Sequence, residues 1–525
     1  MYQSKNITNN FKKALSIHDR QIALLIKSLS IGIGTGIIVS LYRYVITFTE
    51  EWNLKIYEKL HNHTLFILIG IILVTILALI CGLLVKCYPM ISGSGIPQVK
   101  AIVIGYFEDN WFTTLLNKFI VGTLSIGIGL SLGREGPSIQ MGASVADGFG
   151  KKFSKTRNER RILIAAGAGA GLAAAFGAPL AGVLFVLEEI FRYLSSTMLL
   201  ATCIAALSAD YTAKLFFGMS PVFNFPIINS LPLIWYWLLP ILGILTGLFG
   251  VIYNKLLMYT TTLMKSKFKK YPIFRPVPIF IITIFIGLYF PSALGGGHNM
   301  MPILNMQTGA TILIVLLLVK FLFSVLSFSS GVAGGIFFPL LMLGACIGAI
   351  FGHEMISIFN INSDLFYNFM IFSMAGVFSS IVRAPITGIV LLTEMTGSFT
   401  HLLPLSIVVI FAFITANFLN SDPIYDSLLD NLVDGKGTTE NNLLSGKKVM
   451  FEQIVHFESQ IINKSLENIA IPAQALIVAI RRNNNDIIPN GKTRIHANDV
   501  LMIVCDTQNE VFTKKELSKL TNSFD

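Results

Sequence analysis

Gly133-Arg134-Glu135-Gly136-Pro137 is the stretch on which the reading of this chain turns. It sets two charges, two glycines and a proline inside a region that is otherwise apolar. A charge in hydrocarbon is costly, so such a side chain usually faces a cavity and has a task there. Glycine lets backbone approach a ligand closely, and proline is tolerated in the first turn of a helix, where its missing N–H would be unpaired anyway. The pattern predicts a broken helix within a membrane, with free N–H groups and one carboxylate meeting at a site.

The rest of the chain supports a membrane setting. Of 525 residues, 53% are hydrophobic and only 13% charged, with a mean hydropathy of +0.68. Soluble domains carry about a quarter charged residues. Apolar runs span Ile22 to Thr47, Leu65 to Val85, Leu231 to Ile252, Val277 to Phe290, Thr311 to Phe328 and Leu402 to Leu419. Most approach the roughly 20 residues that cross a bilayer, and the shorter or Gly/Pro-broken ones point to discontinuous helices. The net charge of +10 does not indicate nucleic acid. Basic clusters at Lys5 to Lys27, Lys151 to Arg161 and Lys265 to Arg275 fit cytoplasmic loops under the positive-inside rule. The five cysteines form no CxxC or Cys/His pattern, so no metal site and no cofactor are expected. The polar N-terminus lacks a cleavable apolar leader.

Residues 1–20 read as a cytoplasmic arm, 21–430 as the membrane domain, 431–448 as a polar linker and 449–525 as a small soluble domain. In the last, the runs Ala475 to Ile480 and Val500 to Val504 read as strands. Asn483 to Asp486 and Asn490-Gly491 read as turns.

The membrane domain repeats itself. Gly133 to Gly150 matches Gly335 to Gly352 at a constant spacing of 202 residues, with Gly133/Gly335, Pro137/Pro339, Gly142/Gly344, Ala143/Ala345, Phe149/Phe351 and Gly150/Gly352 in register. Ala178-Pro179-Leu180-Ala181-Gly182 then matches Ala384-Pro385-Ile386-Thr387-Gly388 at a spacing of 206, which makes Glu188 and Glu394 repeat mates. Paired halves with broken helices are the pattern of transporters and channels whose substrate sits at the repeat interface. The expected fold is an all-α polytopic membrane protein of two internally repeated halves, plus a small soluble α/β C-terminal domain. The expected activity is transport, not enzyme catalysis.

Gly93-Ser94-Gly95-Ile96-Pro97, Gly133 to Pro137 and Gly334 to Pro339 each combine glycine and proline at a helix start, and the region of Tyr425 joins them. A helix N-terminus offers unpaired N–H groups and about half a positive charge, so several converging ends favour an anion.

These motifs, in this order, resemble the CLC family of chloride channels and chloride/proton exchangers over roughly residues 20–430. The resemblance implies two inverted halves and a homodimer with one pathway in each subunit. It implies chloride held by Ser94, Tyr425 and the backbone at Gly136, Ile336 and Phe337. It makes Glu135 the gating, external proton glutamate and Glu189 the internal proton glutamate. Adjacent carboxylates at 188 and 189 are expected to repel and so to aid a proton relay. Glu188 and Glu394 are expected to be structural.

Ala333, Gln98 and Lys100 depart from the family pattern. The last two are expected to alter charge near the dimer or cytoplasmic face. His61, His63, His298, His353 and His401 receive no role. The tail, with Pro489-Asn490-Gly491-Lys492-Thr493, resembles the TrkA-C regulatory module, which implies dimerisation and a small-molecule ligand.

Together these imply a chloride/proton antiporter in a bacterial inner membrane, multi-pass, with both termini cytoplasmic. The alternatives are a passive chloride channel and a non-transporting anion sensor.

Overall fold

The computed structural model describes residues 2–60, 64–192, 195–219, 223, 230–434, 448–472, 475–482, 485–506 and 510–521. The helices in the first part of the chain are α1 (Tyr2–Leu60), α2 (Thr64–Cys87), α3 (Ile96–Ile104), α4 (Trp111–Gly127), α5 (Glu135–Phe153), α6 (Arg157–Phe176), α7 (Pro179–Phe185) and α8 (Ser196–Phe217). A second series follows: α9 (Leu238–Lys267), α10 (Val277–Tyr289), α11 (Ala310–Ser329), α12 (Phe337–Phe359), α13 (Phe366–Val382), α14 (Pro385–Thr396), α15 (Leu402–Phe418) and α16 (Ile424–Asp434). The tail carries strands β1 (Lys448–Ile454), β2 (Ala475–Arg482), β3 (Asn485–Ile487) and β4 (Val500–Asp506), then α17 (Glu510–Thr521). Among the described residues, 9 helices are long and apolar enough to cross a membrane.

Each local boundary has a chemical cause. Thr156 Oγ1 accepts from Glu159 N at 3.1 Å, and the Glu159 carboxylate accepts from Lys155 N at 2.8 Å, which starts α6 with side-chain caps. Helices α6 and α13 both stop on a left-handed residue, Gly177 and its repeat mate Arg383. Helices α5 and α6 pack so closely that a Cβ on Gly142 or Gly167 would strike the other's carbonyl. Small residues permit this approach where water cannot drive helices together. Gly344, the mate of Gly142, packs in the same way on the backbone of α13.

The two series meet head-on. Gly133 N donates to Gly335 O at 2.6 Å and Gly335 N donates back to Gly133 O at 2.8 Å, an antiparallel bridge between exact repeat mates. Gly93 N donates to Val332 O and Gly334 N to Gly93 O, both at 3.0 Å. The repeat also reaches further than the matched motifs. Lys118 Nζ donates to Ile91 O and Gly93 O, and Lys320 Nζ donates to Ala293 O and Gly295 O, at 2.8–2.9 Å. Both lysines are fully buried. Gly93 and Gly295, like Gly95 and Gly297, share positive φ, so both halves contain the same glycine turn tied down by a lysine.

Some expected boundaries move. The run starting at Leu231 becomes helical only at Leu238. Three spans, Ser196–Phe217, Phe337–Phe359 and Ser363–Val382, lie outside the apolar runs read from the sequence. Their small and polar residues face other helices, and the last is 94% buried. Residues 2–20 continue α1 without a break. Arg275 leaves its loop cluster and donates Nε to Ser329 O at 2.8 Å.

Contact clustering separates Met1–Val103 with Asp109–Asp430 from a second unit of Asn431–Asp525 with Ile104–Glu108. Of the expected linker, 431–434 are helical and 435–447 lie outside the described residues. The tail forms an antiparallel sheet in the order β1-β4-β2-β3. Phe451, Ile480, Leu501, Ile503 and Leu517 form its core. Asn485 and Asp486 belong to β3 rather than to a turn, since Asp486 pairs with Arg481 across the hairpin. Arg482 makes a two-pronged ion pair to buried Asp499 at 2.8 and 2.7 Å, which raises the pKa of the guanidinium further.

Lys118→Met and Lys320→Met should each destabilise the membrane domain by about 2 kcal/mol or more, because two buried carbonyls lose their donor. Thermal unfolding in detergent measures this.

Candidate functional site

The three glycine motifs converge because each lacks the side chain that would keep them apart. A Cβ on Gly136 would lie 2.7 Å from Ser94 O, and one on Gly335 would lie 3.2 Å from Gly136 N. The starts of α3, α5 and α12 therefore meet at one point, and their first N–H groups have no acceptor inside their own helices. Ser94 Oγ accepts from Ile96 N at 3.3 Å, which leaves its hydrogen to donate elsewhere. The Tyr425 hydroxyl is buried with no partner, within electrostatic range of both Glu135 and Glu189. Ile336 precedes α12, and Phe337 opens it from inside a ring cluster of Phe176, Phe185 and Phe378.

Glu135 stands at the first turn of α5 and is only 1% exposed. Backbone N–H groups of Glu135 and Phe338 donate to its carboxylate, so it occupies the positive ends of α5 and α12 at once. The donors that attract an anion already hold this one.

The protein-family model described as voltage gated chloride channel matches residues 77–417. The chain belongs to this family, the CLC proteins. A second model, the TrkA-C domain, matches residues 450–514. The H(+)/Cl(-) exchange transporter ClcA of Salmonella paratyphi A is 32% identical over 424 residues, covering 78% of this chain and 88% of the relative. ClcA of Vibrio cholerae is 34% identical over 456 residues, covering 84% and 95%. The crystal structure of a slow cyanobacterial Cl-/H+ antiporter superposes with a TM-score of 0.74 at 29% identity, over 79% of this chain and 99% of that one. A CLC-type fluoride/proton antiporter shares the fold, with a TM-score of 0.64 at 24% identity, over 77% and 97%. This CLC protein is thus a multi-pass membrane protein with a small sheet-containing C-terminal domain.

Within the CLC frame, the paired carboxylates 188 and 189 do not face each other. A single π-turn from Val186 to Phe191 throws them to opposite sides. Glu188 accepts from Ile386 N, Thr387 N and Thr387 Oγ1 at 3.1, 2.7 and 2.6 Å, capping α14. Its repeat mate Glu394 accepts from Leu180 N and Ala181 N at 3.0 and 2.8 Å, capping α7. The two glutamates cap each other's repeat, a structural role for both. The expected repulsion is replaced by divergence.

Glu189, 1% exposed, pairs instead with Lys100 at 3.0 Å and with Arg192 at 3.6 Å. Lys100 and Arg192 both also pair with Asp426, next to Tyr425 in the chain, Arg192 at 2.6 Å. Lys100 therefore does not alter a dimer or cytoplasmic face. It is buried, as is Gln98, which donates to Ser92 O at 2.7 Å. The sequence reading missed Lys100, Arg192 and Asp426 as partners of Glu189, because they are far apart in the chain. It also missed His298, whose ring lies against Phe338 at 4.0 Å. The 202-residue spacing could have found His298, which falls opposite Ile96 in the repeat of the serine motif.

Glu188→Gln and Glu394→Gln should each lower stability by about 1 kcal/mol through a weakened helix cap, without altering ion selectivity. Thermal unfolding beside anion-competition flux assays separates the two effects.

Proposed function

We propose that this chain exchanges chloride for protons across a bacterial inner membrane, with Glu135 as the gating carboxylate. The observation that carries this reading is the Glu135 carboxylate seated on backbone N–H groups of α5 and α12. A carboxylate and a chloride ion compete for one set of donors. Protonation removes the negative charge of the carboxylate, frees the donors and admits the anion, so the two ions are linked through one group. Ser94, Tyr425 and the backbone at Gly136, Ile336 and Phe337 complete the anion site. The buried, unpartnered Tyr425 hydroxyl supports that placement, since such a group ordinarily finds an acceptor. Glu189 receives protons from the cytoplasmic side. The protein works as a homodimer with both termini cytoplasmic, and its TrkA-C domain binds a small-molecule regulator.

A passive channel is the second reading, and the Lys100–Glu189 pair is the observation that favours it, because a carboxylate engaged by a lysine is not free to pass protons on.

Purified protein in liposomes, given only a chloride gradient, should drive protons uphill, read by an internal pH dye. Chloride flux without proton movement selects the channel. Glu135→Gln should abolish proton movement, and Glu189→Gln should uncouple it while chloride still flows. Tyr425→Ala should weaken chloride binding about ten-fold by calorimetry, the cost of one hydrogen bond to a charged group. Unchanged affinity removes Tyr425 from the site.

A further inference from the structure

Glu135 sits behind a wall. It lines a cavity of about 10 Å³ with Glu50, Arg134, His298, Ile46 and Phe338 among its neighbours. That volume holds about one water. Beyond it opens a vestibule of about 560 Å³, which Glu50, Arg134 and His298 also line but Glu135 does not. Two atoms at the small cavity are buried and unpartnered, Glu135 Oε2 and Arg134 Nε. Their residues are 1% and 8% exposed. An acceptor and a donor left open at one water-sized cavity suit a single water that donates to the glutamate and accepts from the arginine.

A proton passing from the vestibule to Glu135 must cross that wall. Arginine does not release its proton. The His298 ring is packed at 4.0 Å on Phe338. Glu50, one turn beyond Ile46 on α1, is the remaining group that touches both spaces. Its carboxylate accepts from the backbone N–H of Gly296 and lies against Gly295, where a Cβ would come within 2.6 Å of Oε1. The glycine turn tied down by Lys320 thus positions it. The titratable and charged groups around it are Tyr42, Arg43 and Glu51 on its own helix, Arg134 and Glu135 at the start of α5, His298 after the glycine turn, and Lys320 on α11.

We propose that Glu50 is a proton-relay residue, handing protons between the vestibule and Glu135 through one water held by Arg134. The inference rests on the antiport reading and adds to it the route on the vestibule side. In the inward transfer, the Glu50 O–H bond breaks as the cavity water takes that proton. One of the water's own O–H bonds breaks as Glu135 Oε2 takes another, which regenerates water. One proton moves, no electron does, and Glu50 reloads from the vestibule.

The test uses the full chain in liposomes under a chloride gradient, with proton and chloride fluxes read together. Glu50→Gln should slow coupled exchange about ten-fold or more, as loss of a placed proton carrier does, with the proton-to-chloride ratio kept. Glu50→Asp should recover part of the rate. In a Glu135→Gln background, adding Glu50→Gln should change chloride flux no further, because the relay acts only through Glu135. A slowing of similar size in both backgrounds marks Glu50 as merely structural and overturns the proposal. So does an unaltered rate for Glu50→Gln in the otherwise native protein. Failure of the native protein to move protons at all is a different result, since it overturns the antiport reading itself.

Discussion

The reciprocal hydrogen bonds between Gly133 and Gly335 are the constraint on which the rest of this structure depends. They join exact repeat mates, so they set the two halves about a local two-fold axis. They also force the starts of α5 and α12 to face one another. Two helix N-termini then point their unpaired N–H groups into a single small volume inside the membrane. Neither half could make that field alone, since one helix end supplies only about half a charge. The glycines are required by packing: a methyl group at Gly136 or Gly335 would push the third motif or the partner helix away.

The same symmetry explains how a polar site survives in apolar surroundings. Each half uses a fully buried lysine to satisfy the carbonyls of its glycine turn, and each lends a glutamate to cap a short helix of the other. Every one of these contacts joins distant parts of the chain, and none leaves its polar group unmatched. A buried lysine without acceptors would be prohibitive. With two carbonyls in reach it becomes a brace for the turn that carries Ser94 in one half and the Gly296 N–H in the other.

Function arises where the symmetry breaks. Glu135 has Phe337 as its counterpart in the other half, so one helix end brings an ionisable group and the other an apolar ring. The four charges Lys100, Glu189, Arg192 and Asp426 likewise occur on one side only, where they couple a buried glutamate to the helix that carries Tyr425. A proton site and an anion ligand are thereby joined through a single residue step in α16.

The sequence by itself determined the membrane class, the repeat and the three motifs of the anion site, because these are written in composition and in short local spacings. Most membrane spans were also legible, but those rich in small or packed residues were not, since a helix buried among helices need not look apolar along its length. The tail's strands could be read from their apolar runs and turns. Tertiary structure alone decided the partners. Glu188 and Glu189 are neighbours in sequence, yet a π-turn sends one to cap a helix 198 residues away and the other to a lysine 89 residues back. Adjacency in the chain predicts repulsion, whereas backbone direction determines what each carboxylate meets. The same holds for Lys100, Glu50 and His298, whose meaning comes from the cavity or charge that folding brings to them.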